Sequence, residues 1–457
     1  MPSPNRSPQR PLAVACAPSG RLRSSRRPLA ALSATSALSA LAISLCVAMP
    51  APASAAETQR QAGAAISGET YSLEQLLNLA KTVNRGVLAA RDQVDAARSG
   101  IRTAGAFPNP EIEYLSGKSN ARIPGTTAGD LRTITVTQPL PLPGQRGLRE
   151  DAATAAADAA SADLLAFEAE TAARVKLAYF DVLRRDAEAR AAQEDAALMA
   201  QIRKRIQLRV ETGESARYEL IKSDAELLNA RKSEASAALR AQQARAALRE
   251  AVGEGLPANF SVRGDLEADS GRGGELPTLA ALREEVLSRN PELTRARAER
   301  QRAEHQLSLE RSLRLPSVAV RASQEQDPEL RSSRIGLVLT VPLWDQRSGP
   351  VGEASAQLAR AGNALAAREF ALTQALETAY RQFEIANTQV AALEGGIVRQ
   401  AESALRVAEA AYRFGERGIL DYLDAQRVFR AARNELITAR YELVAARVDI
   451  ERLRANR

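Results

Sequence analysis

The C-terminal part of the chain carries an unbroken helical repeat of apolar residues. They recur at alternating steps of three and four, at Phe429, Ala432, Leu436, Ala439, Leu443, Ala446, Ile450 and Leu453. This spacing is typical of the seam of an α-helical coiled coil. An earlier series has the same period, at Ile221, Ala225, Leu228, Ala235, Leu239 and Ala246. Lys232 and Gln242 interrupt that series, so we expect its helix to be less deeply packed.

Two stretches predict helices longer than a compact domain contains. Between Gly147 and Gly213 there is neither Gly nor Pro for 65 residues. A continuous helix of that length would measure about 100 Å. No proline follows Pro350 either, although Gly395 and Gly396 interrupt the second helical pattern and predict a bend.

Four segments of about ten residues alternate between polar and apolar positions instead, at residues 109–118, 131–140, 316–325 and 334–344. The last has Ile335, Leu337, Leu339, Val341 and Leu343 on one face. This length is typical of a barrel strand that crosses a bilayer. A strand pair that caps a helical bundle in water is the alternative interpretation.

The order of these segments occurs twice, which indicates an internal duplication. Equivalent positions lie 201 to 203 residues apart: Ala178 and Ala379, Tyr179 and Tyr380, Gly213 and Gly415, Glu214 and Glu416, Pro139 and Pro342. We therefore predict a first structural repeat at 56–258, a linker rich in glycine and acidic residues at 259–274, and a second repeat at 275–457.

The formal net charge of +7 suggests nucleic acid until the charges are placed along the chain. Residues 1–56 hold six arginines and no acidic residue, and the rest of the chain has 56 basic against 55 acidic residues. This distribution disfavours a nucleic-acid partner. The basic stretch, the apolar core and the small residues at Ala53 and Ala55 predict a signal peptide at 1–55. An uncleaved anchor and acylation at Cys46 are the alternatives.

Candidate catalytic and metal-binding chemistry is sparse. Both cysteines, Cys16 and Cys46, lie in the predicted leader, and His305 is the single histidine, in a polar helix. The sequence has no G-x-S-x-G, no H-E-x-x-H and no glycine-rich nucleotide loop. We therefore predict no catalytic residues, no cofactor and no metal site, and the chain is not expected to be an enzyme.

Four strands cannot close a barrel, since the smallest familiar barrels have eight strands. Within a bilayer, only a closed barrel pairs every backbone N–H and C=O group of a sheet. The membrane interpretation therefore requires several copies that donate strands to one barrel, with the long helices continuing below it as a tube.

The sequence resembles the TolC family of outer-membrane factors over residues 70 to 455. The segments FPNPEIEY, ITVTQPLPLPGQRGLREDAA and SRNPELTRARAERQRAEHQLSLERSLRLPSVAV are most similar to its heavy-metal (cobalt-zinc-cadmium) branch. The resemblance implies a mainly α fold with a small β part, built from a duplicated unit of helix, strand pair, long helix and helix. It also implies a homotrimer with a periplasmic α-helical barrel and a shared β-barrel in the lipid of a Gram-negative outer membrane, with four strands per chain.

The turn before the last helix carries the candidate site residues. Asp421 and Asp424 lie at i and i+3 on one helical face, just after Gly415 and Gly418. Ordinary helix capping explains this pattern in a monomer, whereas in a symmetric oligomer the acids form rings that attract cations. Lys222 stands at the position equivalent to Asp424, so the acidic ring is not doubled.

The resemblance assigns roles to residues around this turn. It implies a tunnel-entrance gate of Tyr412, Arg417 and Glu219, an acidic ring of Asp421 and Asp424, and adaptor docking at the helix tips, at Gly213, Glu214, Gly415 and Gly418. The implied partners are a periplasmic adaptor and an inner-membrane RND (resistance-nodulation-division) pump, and the implied activity is passive exit of heavy-metal cations.

Two alternatives remain at this stage. One is a drug-efflux or type I secretion duct of the same family. The other is a periplasmic coiled-coil adaptor or scaffold, which is disfavoured because each of the two hairpin units is preceded by a strand pair.

Overall fold

The computed structural model describes residues 69–120, 122–267 and 276–455. The predicted signal peptide, with Cys16 and Cys46, residues 268–274 of the predicted linker and residue 275 lie outside these ranges. Nine helices are named here: α1 Leu73–Val83, α2 Arg85–Ala104, α3 Gln145–Glu211, α4 Arg217–Val252, α5 Leu279–Arg289, α6 Pro291–Ser312, α7 Ser348–Ala392, α8 Val398–Arg413 and α9 Ile419–Leu453.

The helix starts follow from local capping chemistry. The Ser72 side chain accepts a hydrogen bond from the backbone of Gln75, whose side chain accepts one from Ser72 N–H, which is a complete capping box. Thr278 caps α5, and Pro291 occupies the first turn of α6, where its missing N–H costs nothing. These caps fix where the short helices of each half begin.

The long helix α3 extends from Gln145 to Glu211 without a break. This continuity was predicted from the lack of Gly and Pro after Gly147, which lies in the first turn. Its counterpart in the second half is divided. A π-helical turn, Leu393–Ile397, lies between α7 and α8 and contains Gly395 and Gly396. The predicted irregularity therefore takes the form of one inserted residue in the helical ladder.

The helices pack as a row. The helix α4 packs on α3, α3 packs on α9, and α9 packs on α7 and α8. The predicted seam of α9 is confirmed: Ala432, Ala439, Leu443 and Ile450 are buried. All six residues of the predicted α4 series are exposed within the chain, so α4 uses a different face to pack on α3, with Leu227, Ala237 and Leu248 at its centre.

Two of the hydrophobic clusters repeat the same arrangement in each half. In the first half, Leu76 of α1 packs with Val182 of α3 and Leu248 of α4. In the second half, Leu282 of α5 packs with Leu376 of α7 and Ile450 of α9. The fold class predicted for the chain, mainly helical with a small β part, is confirmed.

The principal sheet contains four antiparallel strands in the order β2-β3-β5-β6. The strands are β2 Glu111–Ser119, β3 Gly129–Leu140, β5 Ser317–Gln326 and β6 Arg331–Thr340. The strand β6 starts and ends earlier than the predicted 334–344, because its pairing with β5 continues to the tight turn at Gln326 and because Pro342 lacks the N–H that further pairing needs.

A second, two-stranded sheet joins the start of the first half to the predicted linker. The strand β1, Thr70–Tyr71, pairs in parallel with β4, Ser261–Val262. The segment predicted as linker at 259–274 therefore contains a short strand. Burial of Phe260 and Leu266 in the first-half cluster holds this segment against the helices.

Candidate functional site

The two helical hairpins of the chain end in turns of the same geometry. Gly213 and Gly415 adopt φ values of 80° and 78°, a left-handed conformation that glycine adopts without strain. The N–H of Glu214 donates to the carbonyl of Arg209 (2.8 Å), and that of Glu416 donates to the carbonyl of Ala411 (2.9 Å). Both turns are therefore Schellman-type helix ends. Gly213, Glu214, Gly415 and Gly418 are all exposed at these tips.

Tyr412 lies between the two hairpins rather than in solvent. Its side chain is 9% exposed and packs in a cluster with Ile202, Ile206 and Ile419. Its ring stacks on Tyr422 with centroids 5.9 Å apart and an interplanar angle of 6°. The guanidinium of Arg209, from the other hairpin, lies 4.9 Å from the ring centroid. This contact is a cation–π interaction between the α3 and α8 ends of the hairpins.

The electrostatics place Glu219 near the same tyrosine. Burial raises the pKa of the Tyr412 hydroxyl above its ordinary value, Arg209 opposes this rise, and the charge of Glu219 adds to it. Burial likewise raises the pKa of Tyr422. Both hydroxyls are therefore neutral at physiological pH. Of the predicted gate residues, the structure thus brings Tyr412 and Glu219 into one electrostatic environment.

Arg417 lies in the exposed turn just before α9, and the two aspartates lie on the exposed first turns of that helix. The Arg417 guanidinium lies 3.5 Å from the Asp421 carboxylate, and Asp424 lies 4.0 Å from Arg427. Arg427 also contacts Glu226 of α4 at 3.0 Å. Because these side chains are more than half exposed, apart from Glu226, each pair contributes about 1 kcal/mol or less to stability. The aspartates therefore remain available to solvent ions. Lys222 is half-buried on α4.

A buried ion pair, which the sequence analysis did not identify, connects the hairpins further from the tips. The Asp195 carboxylate of α3 accepts hydrogen bonds from Arg433 Nη2 (2.8 Å) and Gln426 Nε2 (3.4 Å) of α9. Arg433 also donates to the Ala191 carbonyl at 3.0 Å. No spacing in the sequence distinguishes these residues from the many exposed charges, since their pairing depends on how α3 and α9 are rotated. Arg209 was missed for a similar reason, since its contact with Tyr412 depends on how the two hairpins pack. Tyr422 was also missed, because its contact with Tyr412 depends on how α8 and α9 pack within one hairpin.

The two faces of the four-stranded sheet differ in polarity. The register aligns Tyr114, Ile134, Val320 and Leu337 with the apolar face, and Leu337 is 74% exposed. The opposite face carries Glu111, Glu113, Thr135, Arg321 and Arg334. Trp344, just after β6, is 94% exposed. The sheet thus presents an apolar face without a partner among the described residues.

Among residues 69–120, 122–267 and 276–455, no cluster of three or more His, Cys, Asp or Glu side chains has the geometry to hold a metal ion. His305 is half-buried on α6. Over the same ranges, no helix combines enough length and apolar character to cross a membrane.

Comparison with known proteins gives matches over most of the chain. The sequence profile of the outer membrane efflux protein family matches residues 76–254 and 282–456. The cobalt-zinc-cadmium resistance protein CzcC of Cupriavidus metallidurans is 27% identical over 386 residues, covering 84% of this chain and 89% of that protein.

Solved structures share the fold at low sequence identity. The CusC structure, described in connection with transmembrane channel formation, has a TM-score of 0.73 at 17% identity, covering 84% of this chain and 91% of that one. The open state of the MtrE outer membrane channel of Neisseria gonorrhoeae has a TM-score of 0.72 at 18% identity, covering 84% and 88%.

Proposed function

Because the chain belongs to the outer membrane efflux protein family, we propose that it is the exit duct of a tripartite efflux system whose cargo is heavy-metal cations. The duct is passive: an inner-membrane RND pump supplies the energy, and a periplasmic adaptor connects the pump to the helical tips. The observation that carries this proposal is the pairing of two helical hairpins with a four-stranded sheet that is apolar on one exposed face.

The cargo is argued from similarity along the chain. The relative with 27% identity is a cobalt-zinc-cadmium resistance protein, and the match covers 89% of its length. Exposed carboxylates of Asp421 and Asp424 at the helical tip are consistent with a cation cargo, since rings of carboxylates attract cations at a constriction. The duct passes what its pump delivers, so it requires no resident metal.

The sheet supports an oligomer, and three copies are proposed because the resemblance to the TolC family implies a homotrimer. Its outer strands, β2 and β6, have no partner on their free edges within the described residues. Unpaired edges in a bilayer leave backbone groups without hydrogen bonds, at a cost of several kcal/mol each. Because the sheet has four strands, β2 of one copy runs antiparallel to β6 of the next, and three copies close an entirely antiparallel barrel of twelve strands.

The gate lies at the tips of the helices. Tyr412, Arg417 and Glu219 hold the hairpin of α8 and α9 in its closed position, and Asp421 and Asp424 form the acidic ring. The adaptor docks on the exposed turns at Gly213, Glu214, Gly415 and Gly418. Docking opens the duct by preferential contact with the open position of the hairpin, as any ligand shifts a two-state equilibrium.

Membrane fractionation and planar-bilayer recording test the proposal together. We expect the protein in the outer-membrane fraction, as trimers that dissociate on heating, and stepwise conductance after reconstitution. Release as soluble protein on osmotic shock, with no conductance, would contradict it and favour a periplasmic scaffold.

A further inference from the structure

The exposed series on α4 has eight positions when Lys232 and Gln242, which interrupt its apolar residues, are included. These positions recur at alternating steps of four and three. This α4 stripe comprises Ile221, Ala225, Leu228, Lys232, Ala235, Leu239, Gln242 and Ala246, and every member is exposed in the chain. Ile221, Leu228 and Leu239 are 60%, 67% and 66% exposed. Heptad spacing of this kind is typical of a helix that packs on another helix, and α4 already packs on α3 through its other face.

A second exposed stripe has the same spacing. It begins in the π-helical turn and continues along α8 to the tip. This α8 stripe comprises Ile397, Gln400, Ala404, Val407, Ala411 and Phe414, and all of these are exposed except Ala411, which is half-buried. Val407 and Phe414 are 69% and 78% exposed, although α8 buries Tyr412 and Ala401 on another face. Both stripes are therefore largely uncovered by the part of the chain that the structure describes.

The two stripes lie at opposite ends of one row of helices. Since α4 packs on α3, α3 on α9, and α9 on α8, the α4 and α8 helices are the outermost members of this row. A contact between such different surfaces of identical chains is heterologous, and it closes into a ring when the rotation between copies allows it.

Two ion pairs show which residues of the two stripes lie at the same position along the helix axes, called here the same height. Arg427 of α9 contacts Glu226 of α4 at 3.0 Å, and Arg440 of α9 contacts Glu394 at 2.8 Å. Thirteen residues separate Arg427 from Arg440, and thirteen residues along α4 lead from Glu226 to Leu239. Leu239 is therefore about level with Glu394. Because α4 and α8 are antiparallel, moving one residue towards the C-terminus of α4 corresponds to moving one residue towards the N-terminus of α8.

At these heights the side chains of the two stripes are complementary in size. Four of the large residues lie level with alanine in the other stripe, to within about one residue rise of 1.5 Å. The matched levels are Ile221 with Ala411, Ala225 with Val407, Leu228 with Ala404, and Ala235 with Ile397. Such alternation allows two helices to interdigitate without voids or overlap.

One level is polar in both stripes. Lys232 lies level with Gln400, and these residues can meet only if neighbouring chains keep the same height. A polar residue at one core position of a coiled coil fixes register, since any slip would bury it against apolar side chains. Lys232, which interrupts the apolar series in the sequence, therefore has a role as a register residue.

We propose that the α4 stripe of each chain packs antiparallel on the α8 stripe of the next copy, in the register that brings Lys232 opposite Gln400. This inference rests on the homotrimer proposed above and specifies its helical interface. The seam joins neighbouring chains along the tunnel wall, from the level of the π-helical turn to the tips.

Disulfide trapping tests the register, because the described residues contain no cysteine. The matched variants are Ala225→Cys with Val407→Cys, and Leu228→Cys with Ala404→Cys. The mismatched control is Ala225→Cys with Ile397→Cys, whose levels differ by about 15 Å. Each single-cysteine variant controls for pairing with Cys16 or Cys46. The sample is the full chain in outer-membrane vesicles, oxidised and run on a non-reducing denaturing gel.

We expect covalent dimers and trimers from both matched variants, at least about tenfold more than from the mismatched control, because cysteines more than about 7 Å apart do not bridge. Trimers on a native gel with no matched product, or with equal mismatched product, would overturn the seam and leave the duct intact. A monomer in the native gel would overturn both the seam and the proposed trimer.

Discussion

Asn84 and Asn290 occupy equivalent joints in the two halves of the chain. The Asn84 side-chain amide donates to the Ala251 carbonyl at the end of α4 (3.1 Å), and that of Asn290 donates to the Leu453 carbonyl at the end of α9 (2.8 Å). Each asparagine oxygen also accepts an N–H of the helix that it starts. Each residue therefore joins three helix ends.

Replacement of these asparagines should destabilise the protein unequally. Asn290→Ala removes a helix cap and leaves a buried carbonyl unpaired, so we expect a loss of about 2 kcal/mol. Asn84→Ala should cost less, about 1 kcal/mol, because Asn84 is half-buried. Thermal unfolding of the detergent-solubilised protein measures both, with the exposed Asn78→Ala as the control. Equal losses at Asn290 and Asn78 would contradict the joint.

The buried pair of Asp195 and Arg433 predicts a pH-dependent loss of stability. Burial raises the pKa of Asp195 above its ordinary value, against the opposing charge of Arg433. Since the folded pKa exceeds the unfolded one, ionised Asp195 costs stability above its folded pKa, and this cost disappears as the pH falls towards the unfolded value.

Arg433→Met should therefore destabilise the protein by about 3 kcal/mol near neutral pH, because it leaves the carboxylate unpaired. The loss should be smaller at about pH 5 than at about pH 8, since protonation then removes the unpaired charge. Unfolding midpoints at the two pH values check this. Asp195→Asn combined with Arg433→Met is the control, and it should lose the pH dependence. A loss from Arg433→Met that is independent of pH would count against the pair.

The sequence predicted these helices but not the contacts between them. The period of the α9 residues identifies their buried seam, because a continuous heptad has one low-energy way to pack. The apolar residues of α4 recur just as regularly, yet they are exposed. The pattern shows that one face of the helix is apolar, but it does not show which chain covers that face. Asp195 and Arg433 are far apart in sequence, and their meeting depends on helix rotation.

Loss of the Tyr412 ring should increase conductance. Tyr412→Ala removes the stack on Tyr422, which joins α8 to α9 within one hairpin, and the contact with Arg209, which joins that hairpin to the other. We expect a several-fold larger single-channel conductance in planar bilayers, and a further increase when Arg417→Ala is added. Tyr412→Phe keeps the ring and should behave as the wild type. If the alanine and phenylalanine variants conduct equally, the ring is not the closing contact.

Removal of the tip carboxylates should lower cation preference. Asp421→Asn with Asp424→Asn removes two negative charges per chain from the entrance, so the ratio of cation to anion permeability should fall. Arg427→Gln should shift this ratio the other way, because it frees Asp424 from a neighbouring positive charge. Reversal potentials in a salt gradient give the ratios, with Glu250→Gln at the far end of α4 as the control. A ratio that stays constant in the double variant excludes the acidic ring.

The candidate site was predictable only in outline. The sequence gives the positions of Gly213, Gly415 and the acids that follow, because helix ends and their spacing are local properties. It places Tyr412 at the gate only through family resemblance. Its stack on Tyr422 follows from how α8 and α9 pack within one hairpin, and the approach of Arg209 follows from the packing of two hairpins that are remote in sequence.

If this protein is the exit duct for heavy-metal cations, its loss should make the host sensitive to those metals. The gene is deleted in its host, and growth is compared in cobalt, zinc and cadmium and in a panel of drugs, with plasmid-borne wild type as the control. We expect selective sensitivity to the metals, and the plasmid-borne wild type should restore tolerance. Sensitivity to drugs alone, with metal tolerance unchanged, would contradict this expectation.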